Sequence, residues 1–116
     1  MKRTVLLSAI AFLSFGFGMS AHADCPFPKA PETIPDGSTA SEAEMIAAMN
    51  AFKAYNEEVK AFQACLDEET KQRAASGGGT MTFKAMQAKK LAAAVDELET
   101  KAKKFNEQVR IFKARS

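Results

Sequence analysis

LAAAVDELETKAKKFNEQVRIF, residues 91–112, sets its apolar side chains to a fixed beat. Leu91, Val95, Leu98, Ala102, Phe105, Val109 and Phe112 follow one another at steps of four and three without exception. That spacing marks a coiled-coil seam, narrower than the apolar face of an ordinary surface helix. Ala88 and Met81 extend the same stripe backwards, and no proline or glycine breaks the chain after Gly79. The pattern predicts a helix over residues 81–113.

Ahead of it lies SGGGT, residues 76–80. Each glycine costs about 1 kcal/mol in a helix interior, so the run predicts a loop. Before the loop, Met45, Met49, Phe52, Tyr55, Val59, Phe62 and Leu66 again recur at three and four. Ser41 with Glu44, or Thr39 with Glu42, can form a capping box at the start of this segment, and Ser41 is preferred. A first helix over 41–75 follows. Two helices of nearly equal length joined by a short loop predict an all-α, antiparallel, coiled-coil-like hairpin over 41–116. With the turn near Gly78, residues whose numbers sum to about 155 share a level, since both helices rise equally. Phe52 then meets Ala102 and Phe105, Val59 meets Val95 and Leu98, and Leu66 meets Ala88 and Leu91. Two helices alone leave both stripes half covered, so a third layer is needed: the N-terminal segment, a second copy, or a partner.

Residues 24–40, DCPFPKAPETIPDGSTA, hold all four prolines. Proline fixes φ and removes amide donors, which predicts an extended arm near polyproline II geometry. Phe27 and Ile34 are its large apolar anchors, and Pro35-Asp36-Gly37 reads as a turn with proline in the second position.

Upstream, Lys2 and Arg3 precede an apolar run from Val5 to Phe17, and Ala21-His22-Ala23 is a small-x-small site before Asp24. This is the anatomy of a secretory signal peptide over 1–23, cleaved between Ala23 and Asp24, and it predicts a periplasmic or secreted protein. Asp24 stands where lipidation of Cys25 would need a small residue. Cleavage removes two of the 16 basic residues and none of the 14 acidic ones, leaving a net charge of zero. Without a basic excess, nucleic acid is not an expected partner. The one histidine, His22, leaves with the leader and takes with it the commonest general base and metal ligand.

Cys25 and Cys65 are the only cysteines. In an oxidising compartment a disulfide between them is expected. Free thiols for metal or redox chemistry are the alternative, disfavoured by the wide separation and the absence of a CxxC. Reach is sufficient: Ser41 to Cys65 covers about 36 Å of helix, and the arm from Cys25 to Ser41 spans up to about 50 Å.

DCPFPKAPETIPDG, followed by EM and AYNEEVKAFQACLDEE, resembles a group of small uncharacterised exported proteins of Gram-negative bacteria. The likeness covers residues 25 to 69: a Cys-Pro arm, an Ile-Pro-Asp-Gly turn, and a helix carrying a tyrosine and the second cysteine. It implies export and this architecture, and it brings no activity.

Met45, Met49, Met81 and Met86 could in principle hold Cu(I), but the hairpin separates them, and core packing is the expected role. Glu57-Glu58 and Glu68-Glu69 are sequence neighbours that diverge around a helix instead of converging on one atom. SGGG lacks the lysine and spacing of a phosphate loop. No catalytic residue, cofactor site or metal site is expected. Residues 41–70 carry Glu42, Glu44, Glu57, Glu58, Asp67, Glu68 and Glu69 against Lys53 and Lys60; residues 101–116 carry Lys101, Lys103, Lys104, Arg110, Lys113 and Arg115 against Glu107. Opposite charge on antiparallel helices is read as structural, ahead of contact between the basic C-terminal helix and anionic lipid. The expected function is helix-face binding to a protein partner or to a second copy, and the alternative is a periplasmic holdase-type chaperone or envelope stress protein.

Overall fold

The computed structural model describes residues 25–115. The leader and its cleavage point at Ala23 and Asp24 lie outside the described residues. Within them the fold is two helices packed antiparallel, with no strand, and an extended N-terminal arm tied back by a disulfide.

α1 runs Glu42–Ala75. Its start is the capping box on Ser41: Glu44 N donates to Ser41 Oγ at 3.1 Å and Ser41 N donates to Glu44 Oε2 at 2.8 Å. Two otherwise unsatisfied amides are thereby paired. Its end is set by Gly77, whose φ of 81° is the only positive one among the described residues. Gly77 N donates to Ala74 O and Gly78 N to Arg73 O, a Schellman closure that uses the last carbonyls. Thr80 then caps α2, Met81–Lys113, by accepting from Phe83 N at 3.1 Å.

The core follows the predicted register. Phe52 stacks on Phe105 with ring centroids 4.9 Å apart, and Gln87 Nε2 donates to Leu66 O at 3.3 Å, so residue numbers across the seam sum to about 155. One buried cluster gathers Met45, Phe52, Tyr55, Val59 and Phe105; a second gathers Phe62, Leu66 and Ala94, with Leu91 against it. Ala94 is fully buried, and its small side chain lets the two helices approach closely there.

The stripe on α2 departs from the expected one at its N-terminal end. Ala88 is exposed and Met81 is 84 % exposed, whereas Gln87 is buried. The central line Leu91, Leu98, Phe105 and Phe112 holds, but the flank that turns in is the one carrying Gln87, Ala94 and Gln108. The arm supplies the reason, because it fills the groove on that side.

From Cys25 the arm runs antiparallel to α1. Cys25 bonds Cys65, with Cα atoms 5.7 Å apart. Phe27 then meets Phe62 edge-on at 5.4 Å, Lys29 N donates to Glu58 Oε2 at 3.1 Å, and Ala30 and Ile34 lie on the first core cluster. Of the two anchors expected, Ile34 is half buried, while Phe27 stays about half exposed. The chain reverses over Asp36–Thr39, two residues later than expected: with Pro35 in the second position Ile34 would open the turn, whereas Asp36 opens it, since Thr39 N and Ala40 N both donate to Asp36 O. Asp36 Oδ1 also accepts from Ser38 N and Oγ, which locks the turn as an Asx motif. Gly37 is needed here for closeness to α2. A Cβ on it would run into Gln108 O and stand 3.0 Å from Phe112 N. Gly37 N donates to Gln108 Oε1 at 2.8 Å, and the Arg115 guanidinium donates to Gly37 O and Ala40 O at 3.0 and 2.6 Å. Arg115 therefore clamps the turn while stacking on Phe112. Part of the basic C-terminal segment is committed to holding the arm.

Candidate functional site

Four places could carry chemistry or recognition. The first is the disulfide corner. Cys25 Sγ, Cys65 Sγ and a carboxylate oxygen of Glu69 lie within 4.8 Å of one another, a donor set of metal-binding type. Both sulfurs are spent on each other, however, so the corner offers no thiolate and one carboxylate. Glu69 Oε1 sits 2.7 Å from Cys25 Sγ. A disulfide sulfur has no proton to donate, and only reduction would turn this contact into a thiol–carboxylate hydrogen bond. The corner is a staple at the open end of the arm, as expected for the two cysteines.

The second place is Tyr55, which is 1 % exposed and sits where α1, α2 and the arm meet. Its ring packs edge-on against Phe52 at 6.3 Å. Its hydroxyl has no hydrogen-bond partner among the described residues. Burial pushes the phenol pKa up, and the negative charges of Glu97 and Glu58 add to the rise. The ring stays neutral far above physiological pH, which suits a core residue and not a proton carrier. Gln87 is similar: its Oε1 is buried without a partner, although its amide nitrogen bonds Leu66 O. A polar side chain in an apolar seam is the kind of feature that fixes register at some loss of stability.

The third is an open groove of about 640 Å³ between the arm and the first turns of α1. Alanines floor it (Ala40, Ala47, Ala48, Ala51), and Glu32, Asp36 and Glu44 stand at its rim. Each of those carboxylates already has a local partner: Glu32 pairs with Lys29, Glu44 closes the helix cap, and Asp36 holds Ser38. Hydrogen bonds from Ser38, with the charge of Arg115 behind them, hold the Asp36 carboxyl below its ordinary range. These groups serve the fold.

The fourth place is the flank of the seam that faces away from the arm. On α2 it is lined by Val95, Ala102 and Val109, all half buried; on α1 by Met49 and Ile46, which remain 41 % and 47 % exposed. The methionines therefore split: Met45 is core, whereas Met49, Met81 and Met86 are at the surface, against the expectation that all four pack inside. Met81 and Met86 lie beyond the end of the arm at Cys65, and Met49 lies on the side of α1 that faces away from it. The ion pairs Lys29–Glu32 and Lys60–Glu57 are each local, three residues apart, and neither bridges the helices.

No helix among the described residues is long and apolar enough to cross a membrane. No family model, curated protein or solved structure matches this chain. Sequence reading found the cysteine pair from reach and spacing. It missed Gln87, Gly37 and Arg115, whose roles depend on what lies across the groove. A glutamine one heptad before Ala94 was the signal for the first.

Proposed function

We propose that this is an exported, non-enzymatic helical protein that works by helix-face binding to a protein partner or to itself, in the periplasm or outside the cell. The observation that carries the reading is the open flank of the seam, where Ile46 and Met49 are exposed beside Val95 and Val109, which pack on the first core cluster, and Ala102, all three only half buried. An apolar line on α2, rimmed by charge, is the form of a helix-in-groove or bundle contact. Export is supported by the leader-like N-terminus and by a disulfide, which persists in oxidising compartments. Sedimentation analysis combined with binding of an apolar dye tests the reading. Self-association or dye uptake at the flank is expected, and a monodisperse monomer that takes up no dye removes it.

Exposure of Met49, Met81 and Met86 favours a second reading, a holdase that cradles unfolded clients on flexible thioether side chains. Suppression of aggregation of a reduced model client separates the two. No suppression at equimolar ratio eliminates the holdase.

A further inference from the structure

We infer that the partner for the open flank is a second copy of this chain, placed by a two-fold axis parallel to the helices so that the pair forms an up-down-up-down four-helix bundle. The inference rests on the helix-face reading and names its partner.

Which flank is open follows from the arm. On α1 the arm touches Glu58, Phe62 and Cys65, and on α2 it touches Gln108. At 100° per residue the opposite sides are the lines through Met49 and Asn56 on α1 and through Val95, Ala102 and Val109 on α2. Just outside these lines are the rim residues: Ile46, Lys53, Lys60 and Asp67 on α1, each seven apart, and Glu99 on α2.

The register turns the rim charges into a choice of symmetry. Since numbers across the seam sum to about 155, Glu99 lies level with residue 56, midway between Lys53 and Lys60. With the axis along the helices, α1 of one copy meets α2 of the other at the same level. Each Glu99 then falls between the partner's Lys53 and the partner's Lys60, Ile46 faces the partner's Val109, and Asp67 comes within a turn of the partner's Lys84. Every contact occurs twice by symmetry, and every pair of neighbouring helices is antiparallel. With the axis across the helices, α1 meets α1 and α2 meets α2. Centred at the same level, Lys53 then opposes the partner's Lys60, and Glu99 opposes the partner's Glu99. Like charges at flanking positions are the standard device that rejects a pairing. Lys60 now pairs with Glu57 at 3.3 Å, but both side chains are largely solvent-exposed, and such a pair exchanges readily for an intermolecular one. Ala102, at the centre of the flank, leaves room for a close approach.

Sedimentation equilibrium on the oxidised chain, recovered after export, is the first measurement, and a dimer is expected. Ala102→Glu buries a charge in the contact and should give monomers with the helical circular dichroism intact. The double variant K53E/K60E and the single variant E99K should each weaken the dimer by about tenfold or more, and the triple variant should restore it. Restoration is the readout that general surface effects cannot imitate. A spin label at Gly78→Cys, where a new Cβ would meet only ordinary van der Waals contacts with Arg73, reads the axis. Loops at the same end give a short label separation, whereas the crossed arrangement places them roughly 65 Å apart. A wild-type monomer that still binds apolar dye overturns the dimer and leaves helix-face binding to another protein standing. A monomer that binds none overturns both. A dimer whose charge swap fails to restore association, or whose loops lie at opposite ends, overturns the two-fold axis along the helices.

Discussion

Replacing Cys25 and Cys65 together by alanine tests how the arm is held. The disulfide joins residues 40 apart in sequence. In the chain-entropy account, closing a loop of that length removes enough freedom from the unfolded chain to stabilise the fold by about 4 kcal/mol. For a domain of this size that is a large share of the net stability, and it corresponds to a fall in Tm of about 15–30 °C. Alanine is chosen over serine so that Glu69, which touches Cys25 Sγ, gains no hydroxyl partner. The folded arm keeps its other attachments: Phe27 on Phe62, Lys29 N on Glu58, and the Gly37 turn gripped by Gln108 and Arg115. The variant should therefore fold to the same hairpin, and its loss should come from the unfolded state. Urea unfolding followed by circular dichroism separates the two contributions. The midpoint should drop, and the slope m should rise because the unlinked chain exposes more surface. A loss under about 1 kcal/mol with unchanged m would refute the reasoning, since the arm's own contacts would then restrain the chain as well as the bond does.

Gly37→Ala places a methyl against Gln108 O and should destabilise by about 1–3 kcal/mol in thermal melts; a small gain, the usual result of stiffening an open glycine, would mean that the arm does not approach α2 this closely. Gln87→Met removes a buried amide oxygen that has no partner and should leave stability equal or raise it by about 1 kcal/mol, and a clear loss in urea titration would mean that the bond to Leu66 O outweighs the orphaned acceptor. Tyr55 is the only tyrosine, so tyrosinate absorbance reports on it alone. Its pKa is raised in the fold above 10.0 by burial first and by Glu97 and Glu58 after that, so the contribution of the neutral ring is complete below the unfolded pKa and is lost as pH rises through the folded one. Ionisation and helix loss should therefore coincide at high pH, and a phenol that titrates at its ordinary value with the helices intact would contradict the buried placement.

Much of the hairpin was legible because helical period is a one-dimensional signal. Leu91, Leu98, Phe105 and Phe112 mark the centre of the seam wherever the helix is rolled, and loop position alone fixes which residue of α1 each must meet. Phe52 opposite Phe105 follows from arithmetic. The Cys25–Cys65 bond was legible for a similar reason, since reach along an extended arm and along a helix are both lengths. What could not be read is the identity of the neighbour on each flank. Val95 and Ala94 are adjacent residues of equal apolar character, yet Ala94 is fully buried and Val95 is not, because the arm lies on one side only. Gly37 looked like one residue of a Pro-Asp-Gly turn, whereas its φ is not positive and its lack of a Cβ is what the fold uses. Arg115 looked like one charge among several in a basic tail, and only the folded turn reveals two carbonyls waiting for it.

Covering one flank with an extended strand has a physical economy that a third helix would lack. A polyproline-like chain advances about 3.1 Å per residue against about 1.5 Å for a helix, so the short stretch from Cys25 to Asp36 spans roughly twice its own number of α1 residues. That backbone needs no ladder partner, because prolines have removed donors from it and the free amides at Lys29 and Gly37 are met by Glu58 and Gln108. A strand is narrow, however, and can fill one groove of a helix pair but not both. The remaining groove keeps its apolar line and its alternating Lys53, Lys60 and Glu99 rim, and burying it takes a body as wide as the hairpin itself. A second hairpin has that width, and its charges meet their complements when it lies level with the first.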